Sequence, residues 1–295
     1  MSAVDFFPIF VEIQDSIDFS KRFEFPVNVI IFMNVKLNKK IQELDEVEFA
    51  YFMPSSGDES LPIGACFWML NQKNEKGVSD EVVYLGKEYS DQEIESYMSE
   101  KGLDKKYSIS KPRDISKEVS SMLLNGEIVG RFAGKAEWGA RSLGNRAILA
   151  DPSKLESVEV INNAIKCRDF WMPFAGSVLD SSFEDYAEYD WASLPFYMNT
   201  SFETTEQGRK SMKAAVHRKD YTMRPNVVTK KHNEGYYSII DRFKSDFGIG
   251  GVLNTSLNVH GYPMVGFINE LFFTMDNSEL NHSIVGNYLI SKNKR

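Results

Sequence analysis

Five apolar residues, Tyr236, Ile239, Ile240, Phe243 and Phe247, recur at helical spacing and stop at Gly248, and the chain then runs directly into "GGVLNTSLNV". The spacing predicts a helix with one buried stripe, closed where glycine permits a left-handed backbone. The run after it predicts a strand leading into a polar loop. Other segments repeat the alternation. Val119, Met122 and Leu123 make a helical stripe closed by Gly126, and "EIVGRFAG" alternates as a strand does. Asp151 and Pro152 predict an N-cap and a first helical residue, ahead of a face made by Leu155, Val158, Ile161 and Ile165. "SIVGNYLIS" predicts a closing strand. Strands and helices intermix without regular strand–helix–strand units, so the expected fold is α/β with mixed sheets.

The N-terminal part divides from this pattern near Asn71. "VNVIIFM", Val27 to Met33, predicts a buried strand, and Val35, Leu37, Ile41 and Leu44 predict a helical face. "VEFAYFMP" reads as a strand stopped by Pro54, "SSGDESLPIG" as a turn and "ACFWML" as a short buried helix. The polar stretch "NQKNEKGVSDE" reads as a linker. Phe6, Phe7, Ile9, Phe10 and Val11 cluster in a segment whose apolar surface would need a partner.

Composition narrows the function. With 295 residues the chain can bury a real core, and a net charge of -8 argues against a nucleic-acid or membrane-surface role for the whole molecule. Only Cys66 and Cys167 are present, without metal-type spacing. The sequence has no signal-like start and no apolar run long enough to span a bilayer, so the cytoplasm is expected.

Against that acidic background, cations and neutral donors gather in four loop segments. "EWGARSLGNRAILADP" offers Arg141, Gly144 and Arg146 just after Lys135, and its glycines permit close backbone approach to a ligand. "IKCRDFWMPFAGS" sets Lys166 and Arg168 two apart, on one side if the chain is extended there. "HRKDYTMRPN" offers His217, Thr222 and Arg224, and "LNTSLNVHGYP" offers Asn254, Thr255, Ser256 and Asn258. Each segment alone reads more readily as helix-end charge complementing a dipole, or as loop hydroxyls and amides satisfying their own backbone. Together they match the needs of a triphosphate, which takes several charge-assisted hydrogen bonds, and there is no Walker loop.

In that order, "GRFAGKAEWGARSLGNRAILADP", "INNAIKCRDFWMPFA", "HRKDYTMRPN" and "GIGGVLNTSLNVHGYPMV" resemble the motifs of the ATP-dependent O-carbamoyltransferases of nodulation-factor, cephamycin and aminoglycoside biosynthesis. The resemblance runs from about Val83 to the end. It implies a YrdC-like mixed-sheet C-terminal domain over 118–295, a connecting segment over 72–117, and over 1–71 a partial actin-like (ASKHA) α/β segment. It also implies that ATP and carbamoyl phosphate are converted to carbamoyl adenylate, for transfer to a hydroxyl on a small molecule or sugar, with magnesium accompanying the nucleotide. Lys166 with Arg168, and Ser256 with Asn258, match a Lys-x-Arg and a Ser-x-Asn pair, the catalytic set. Lys135, Arg141, Gly144, Arg146, His217, Thr222, Arg224, Asn254 and Thr255 are carried over as nucleotide- or carbamoyl-phosphate-binding residues. Tyr221 stands where the family has glycine.

The family's actin-like domain holds iron or another divalent metal through a His-x-x-x-His pair and an aspartate. Asp58 matches the aspartate, but all four histidines lie downstream of it, so this chain alone is not expected to bind that metal. The implied protein is thus a truncated carbamoyltransferase. The alternatives are a non-catalytic nucleotide-binding remnant, and one subunit of a split enzyme whose partner is a separately encoded N-terminal domain.

Overall fold

The computed structural model describes residues 11–13, 33–45, 47–50, 52–57, 60–73, 75, 83–166, 174–190 and 194–293. Helices begin where a short polar side chain turns back onto the first free amides. Asn34, Asp114, Thr205 and Asn233 each accept such a bond, and Ser90 with Glu93 closes a reciprocal capping box. In chain order the elements are β1 (Val11–Ile13), α1 (Val35–Gln42), β2 (Val47–Ala50), α2 (Leu61–Gln72), α3 (Asp91–Glu100), β3 (Tyr107–Ser110), α4 (Ile115–Leu124), β4 (Val129–Phe132) and β5 (Arg146–Ala150). Next come α5 (Leu155–Ile161), which runs into a π turn over Asn162–Lys166, then β6 (Ala175–Leu179), α6 (Phe183–Tyr186), β7 (Phe202–Glu203), α7 (Glu206–Ser211), β8 (Thr222–Met223) and β9 (Pro225–Val228). The last are α8 (Glu234–Phe247), β10 (Gly251–Ser256), α9 (Ile268–Asp276), β11 (His282–Val285) and β12 (Tyr288–Lys292).

Eight strands form one mixed sheet in the order β3-β12-β11-β4-β5-β10-β6-β9. Only β11–β4 and β6–β9 pair in parallel. The period-two rule sends Val129, Ala147, Leu149 and Val252 to the face covered by α4 and α8. It sends Phe132, Ile148, Ala150 and Leu253 to the face packed by α3, α5 and α9. The fold is therefore the mixed α/β layering expected, with a core on each side of the sheet.

The structure corrects several local expectations. "SIVGNYLIS" is a hairpin, β11 to β12, because Gly286 adopts φ 56° and turns the chain with Asn287. Asp151 does not cap a helix; its carboxylate accepts from Ser153 N at 2.9 Å, and α5 begins later, behind Lys154. β4 is buried along its whole length, since helices cover both faces. The helix at "ACFWML" forms as α2, but Leu61, Trp68 and Met69 are exposed, so apolar composition there does not mean burial. Leu44 lies beyond α1 and is exposed, while Asn38 is the buried residue of that helix. Segment 72–117 supplies α3 and the edge strand β3 to the main sheet and is not merely connecting chain. The expected strand at Val27–Met33 and the apolar N-terminal cluster fall almost wholly outside the described residues. Among the described residues no helix is long and apolar enough to cross a membrane.

Candidate functional site

A cleft lies where the 139–145 loop meets the C-terminal end of β10 and the start of β6. Arg141, Ser142, Arg224, Asn254, Thr255 and Ser256 line it, with Phe174 and Met198 as apolar wall. Residues far apart in sequence therefore converge there. β10 is central in the sheet, between β5 and β6, so its end is held on both sides. Asn254 is buried and donates to Ser142 O (3.0 Å) and Ser177 Oγ (2.9 Å), and Ser177 Oγ in turn donates to Asn226 Oδ1 (2.9 Å). That chain of neutral groups braces the cleft floor across three strands. Met198 holds φ 56° while 3% exposed, a backbone state that costs a non-glycine residue roughly 1–3 kcal/mol and that gathers at ligand sites.

Lys166, at the end of the π turn, is 1% exposed. Its Nζ donates to Ser256 O (2.5 Å), Ser256 Oγ (3.1 Å) and Asn258 Oδ1, and Ser256 Oγ donates to Asn258 Oδ1 at 2.7 Å. An ammonium so buried is tolerated only with such bonds, which also fix where its charge lies. Three of the four residues expected to be catalytic thus meet in one hydrogen-bonded cluster at the cleft wall. Arg168, the fourth, lies outside the described residues.

The glycine-rich loop divides. Arg141 faces the cleft, whereas Arg146 is fully buried and does not line it. The Arg146 guanidinium donates to Ala133 O, Gly134 O, Asn145 O and Lys87 O at 2.8–3.2 Å, and lies 3.9 Å from the centre of the Phe132 ring. Burial pushes its pKa down to about 10, the Glu137 carboxylate opposing that shift. Held by four of the protein's own carbonyls and absent from the cleft lining, it does not take the anion-binding role expected of it. Gly144 likewise serves packing. It holds φ 110°, and a Cβ there would come within 2.2 Å of the Tyr236 ring. Lys135 is exposed on the same hairpin, and its carbonyl, 2.8 Å from Asn145 Nδ2, helps fix the loop; its side chain does not line the cleft.

The 217–224 turn also divides. Arg224 lines the cleft, but His217 and Thr222 gather around Asp220. Asp220 Oδ1 accepts from Thr222 N (3.2 Å) and Thr222 Oγ1 (2.8 Å) and lies 2.8 Å from His217 Nδ1. Burial, then the charges of Lys36 and Lys219, hold the His217 imidazole below its ordinary pKa. Tyr221 stands at φ 56°, which explains why glycine suits this position. Its exposed ring sits 4.8 Å from the Arg209 guanidinium, which offsets part of that strain.

Sequence reasoning missed Ser142, Ser177, Asn226 and Met198, neutral residues that no charge pattern marks. It also missed Glu137, an acidic residue among cations. Asp58, the expected metal ligand, lies outside the described residues, among which no three His, Cys, Asp or Glu side chains are grouped to hold an ion.

Residues 120–292 match the carbamoyltransferase C-terminus family, and the chain belongs to that family. An uncharacterized protein of Methanocaldococcus jannaschii is 34% identical over 280 residues, covering 92% of this chain and 52% of its own length. The nodulation protein NolNO of Sinorhizobium fredii is 29% identical over 88% of this chain and 38% of its own. The 3'-hydroxymethylcephem-O-carbamoyltransferase of Amycolatopsis lactamdurans is 26% identical over 57% of this chain and 31% of its own. The chain thus spans about half, or less, of the length of these curated relatives. A HypF structure in a phosphate- and nucleotide-bound form superposes with a TM-score of 0.40 at 13% identity, over 63% of this chain and 22% of that one.

Proposed function

We propose that the cleft binds ATP and carbamoyl phosphate and forms carbamoyl adenylate, which then carbamoylates a hydroxyl acceptor. Family membership supports carbamoyl transfer, and the cephem relative's name specifies a hydroxymethyl acceptor. The observation that carries the nucleotide reading is the convergence of Arg141, Arg224 and Ser256 on one cleft, with Lys166 held against Ser256 and Asn258. This donor set suits a polyanion. Charge-assisted bonds contribute about 1.5–3 kcal/mol each, so Arg141 and Arg224 cover about half of the roughly 8 kcal/mol of micromolar binding. Ser142, Thr255 and Ser256 would supply the rest.

In this reading carbamoyl phosphate is hydrolysed to carbamate and phosphate, and a carbamate oxygen then attacks the α-phosphorus of ATP as the bond to the leaving pyrophosphate breaks. The protein supplies no nucleophile. Arg141 and Arg224 would neutralise phosphate oxygens, and Lys166 would stabilise the charge that develops as pyrophosphate departs. Ser256 and Asn258 would aim the lysine, and the apolar wall at Phe174 and Met198 would limit water. Radiolabelled pyrophosphate should exchange into ATP only when carbamoyl phosphate is present. Folded protein that binds ATP in calorimetry yet exchanges no label would be a nucleotide-binding module, and the catalytic proposal would fall.

A further inference from the structure

The side of the 139–146 loop turned away from the cleft carries a group with no role in the reaction above. Glu137 is 7% exposed. One of its oxygens, Oε1, accepts three backbone amides: Leu143 N at 2.9 Å, Asn145 N at 2.6 Å and Arg146 N at 3.1 Å. The other oxygen is buried without a hydrogen-bond partner. From a second direction Arg131 Nη1 donates to Gly144 O (2.8 Å) and Asn145 Oδ1 (2.6 Å), and Asn233 Nδ2 donates to the same Asn145 Oδ1 (2.9 Å). The loop backbone is therefore gripped at its amides by a carboxylate and at a carbonyl by a guanidinium. Immediately before the gripped stretch, Arg141 and Ser142 turn into the cleft, and Ser142 Oγ donates to Asn254 Oδ1 at 3.3 Å.

A buried carboxylate with one oxygen unpartnered costs free energy, and an apolar residue in its place would leave three loop amides without their acceptor. What the carboxylate supplies is geometry: three converging N–H groups define a concavity that only an anion or a strong acceptor fills. A glycine-bearing loop rich in arginine thus does bind an anion with its backbone, and that anion is the protein's own side chain.

We propose that Glu137 is a positioning residue, which fixes the backbone at 143–146 and so holds Arg141 and Ser142 where a phosphate of the ligand is received. This rests on the nucleotide reading of the cleft. The test is a double-mutant cycle read by calorimetric ATP binding, joined to amide hydrogen exchange. Glu137→Ala and Arg141→Ala should each weaken ATP binding about tenfold, and the double variant should bind no more weakly than either single one. Glu137→Gln, which keeps an acceptor oxygen in place, should recover binding to within about threefold of wild type. Should Glu137→Ala not fold, Glu137→Asp, one methylene too short to reach the amides, replaces it in the cycle. Losses that multiply in the double variant would overturn the proposal, because the two residues would then act independently. Amides of Leu143, Asn145 and Arg146 should exchange faster in Glu137→Ala than in wild type while those of α8 do not. That measurement needs no ligand. If wild-type protein binds no ATP, the functional reading fails, and unchanged exchange at these three amides would separately sink the role of Glu137.

Discussion

The 139–146 loop and the 217–224 turn each place one arginine in the same cleft, and each is organised around a carboxylate of its own, Glu137 or Asp220. The first carboxylate is 7% exposed and set among buried guanidinium groups. The second has a side chain 32% exposed, paired with Lys36 at the surface and touched by His217. Charge interactions in the interior are strong but leave heavy penalties if one member is lost, whereas solvent screens those outside. One segment should therefore behave as part of the core, and the other as an adjustable surface turn.

The contrast breaks most sharply at Arg146. Replacing it in Arg146→Met should cost about 3 kcal/mol or more in denaturant unfolding, because four carbonyls lose its hydrogen bonds and Glu137 loses a neighbouring positive charge. Arg141→Ala, five residues away, should change stability by under about 1 kcal/mol yet abolish pyrophosphate exchange, since its side chain faces the cleft. Equal stability losses in the two variants would erase the division of the loop. Gly144→Ala should cost about 3 kcal/mol in the same assay, through the Tyr236 clash together with the strain at φ 110°. In the surface turn, Asp220→Asn should cost no more than about 1 kcal/mol, and that cost should shrink in concentrated salt. Smallest of all, Tyr221→Gly should shift stability by less than about 1 kcal/mol, relief at φ 56° being offset by chain entropy and the lost contact with Arg209. A large loss there would mean the turn is core-like after all.

The sequence carried the layered fold well where a single periodicity held for several turns. α8 was legible because Tyr236, Ile239, Ile240 and Phe243 recur at helical spacing and are buried, whereas Phe247, expected on the same stripe, is exposed at the helix end. It carried less where one residue type serves two ends. Gly286 lies inside an apolar run and reads as strand until its positive φ reveals a turn. Leu61, Trp68 and Met69 are as apolar as any core residue, and nothing local records that they stand exposed among the described residues. At the site, the charged residues announced themselves, but their destinations did not. Arg141 and Arg146 share one glycine-rich loop, and irregular backbone has no period from which a side chain's direction can be read. Ser177 and Asn226 meet only because β6 and β9 pair in parallel, a contact that no short window contains.

The strand order has a consequence for how this chain reaches its native state. β3, the earliest strand of the main sheet, pairs only with β12, the last of them. During synthesis β3 must therefore wait, with its pairing edge unsatisfied, until β12 has left the ribosome. The sheet can therefore close only late, and until it does the unpaired edge of β3 is a surface on which another strand could pair.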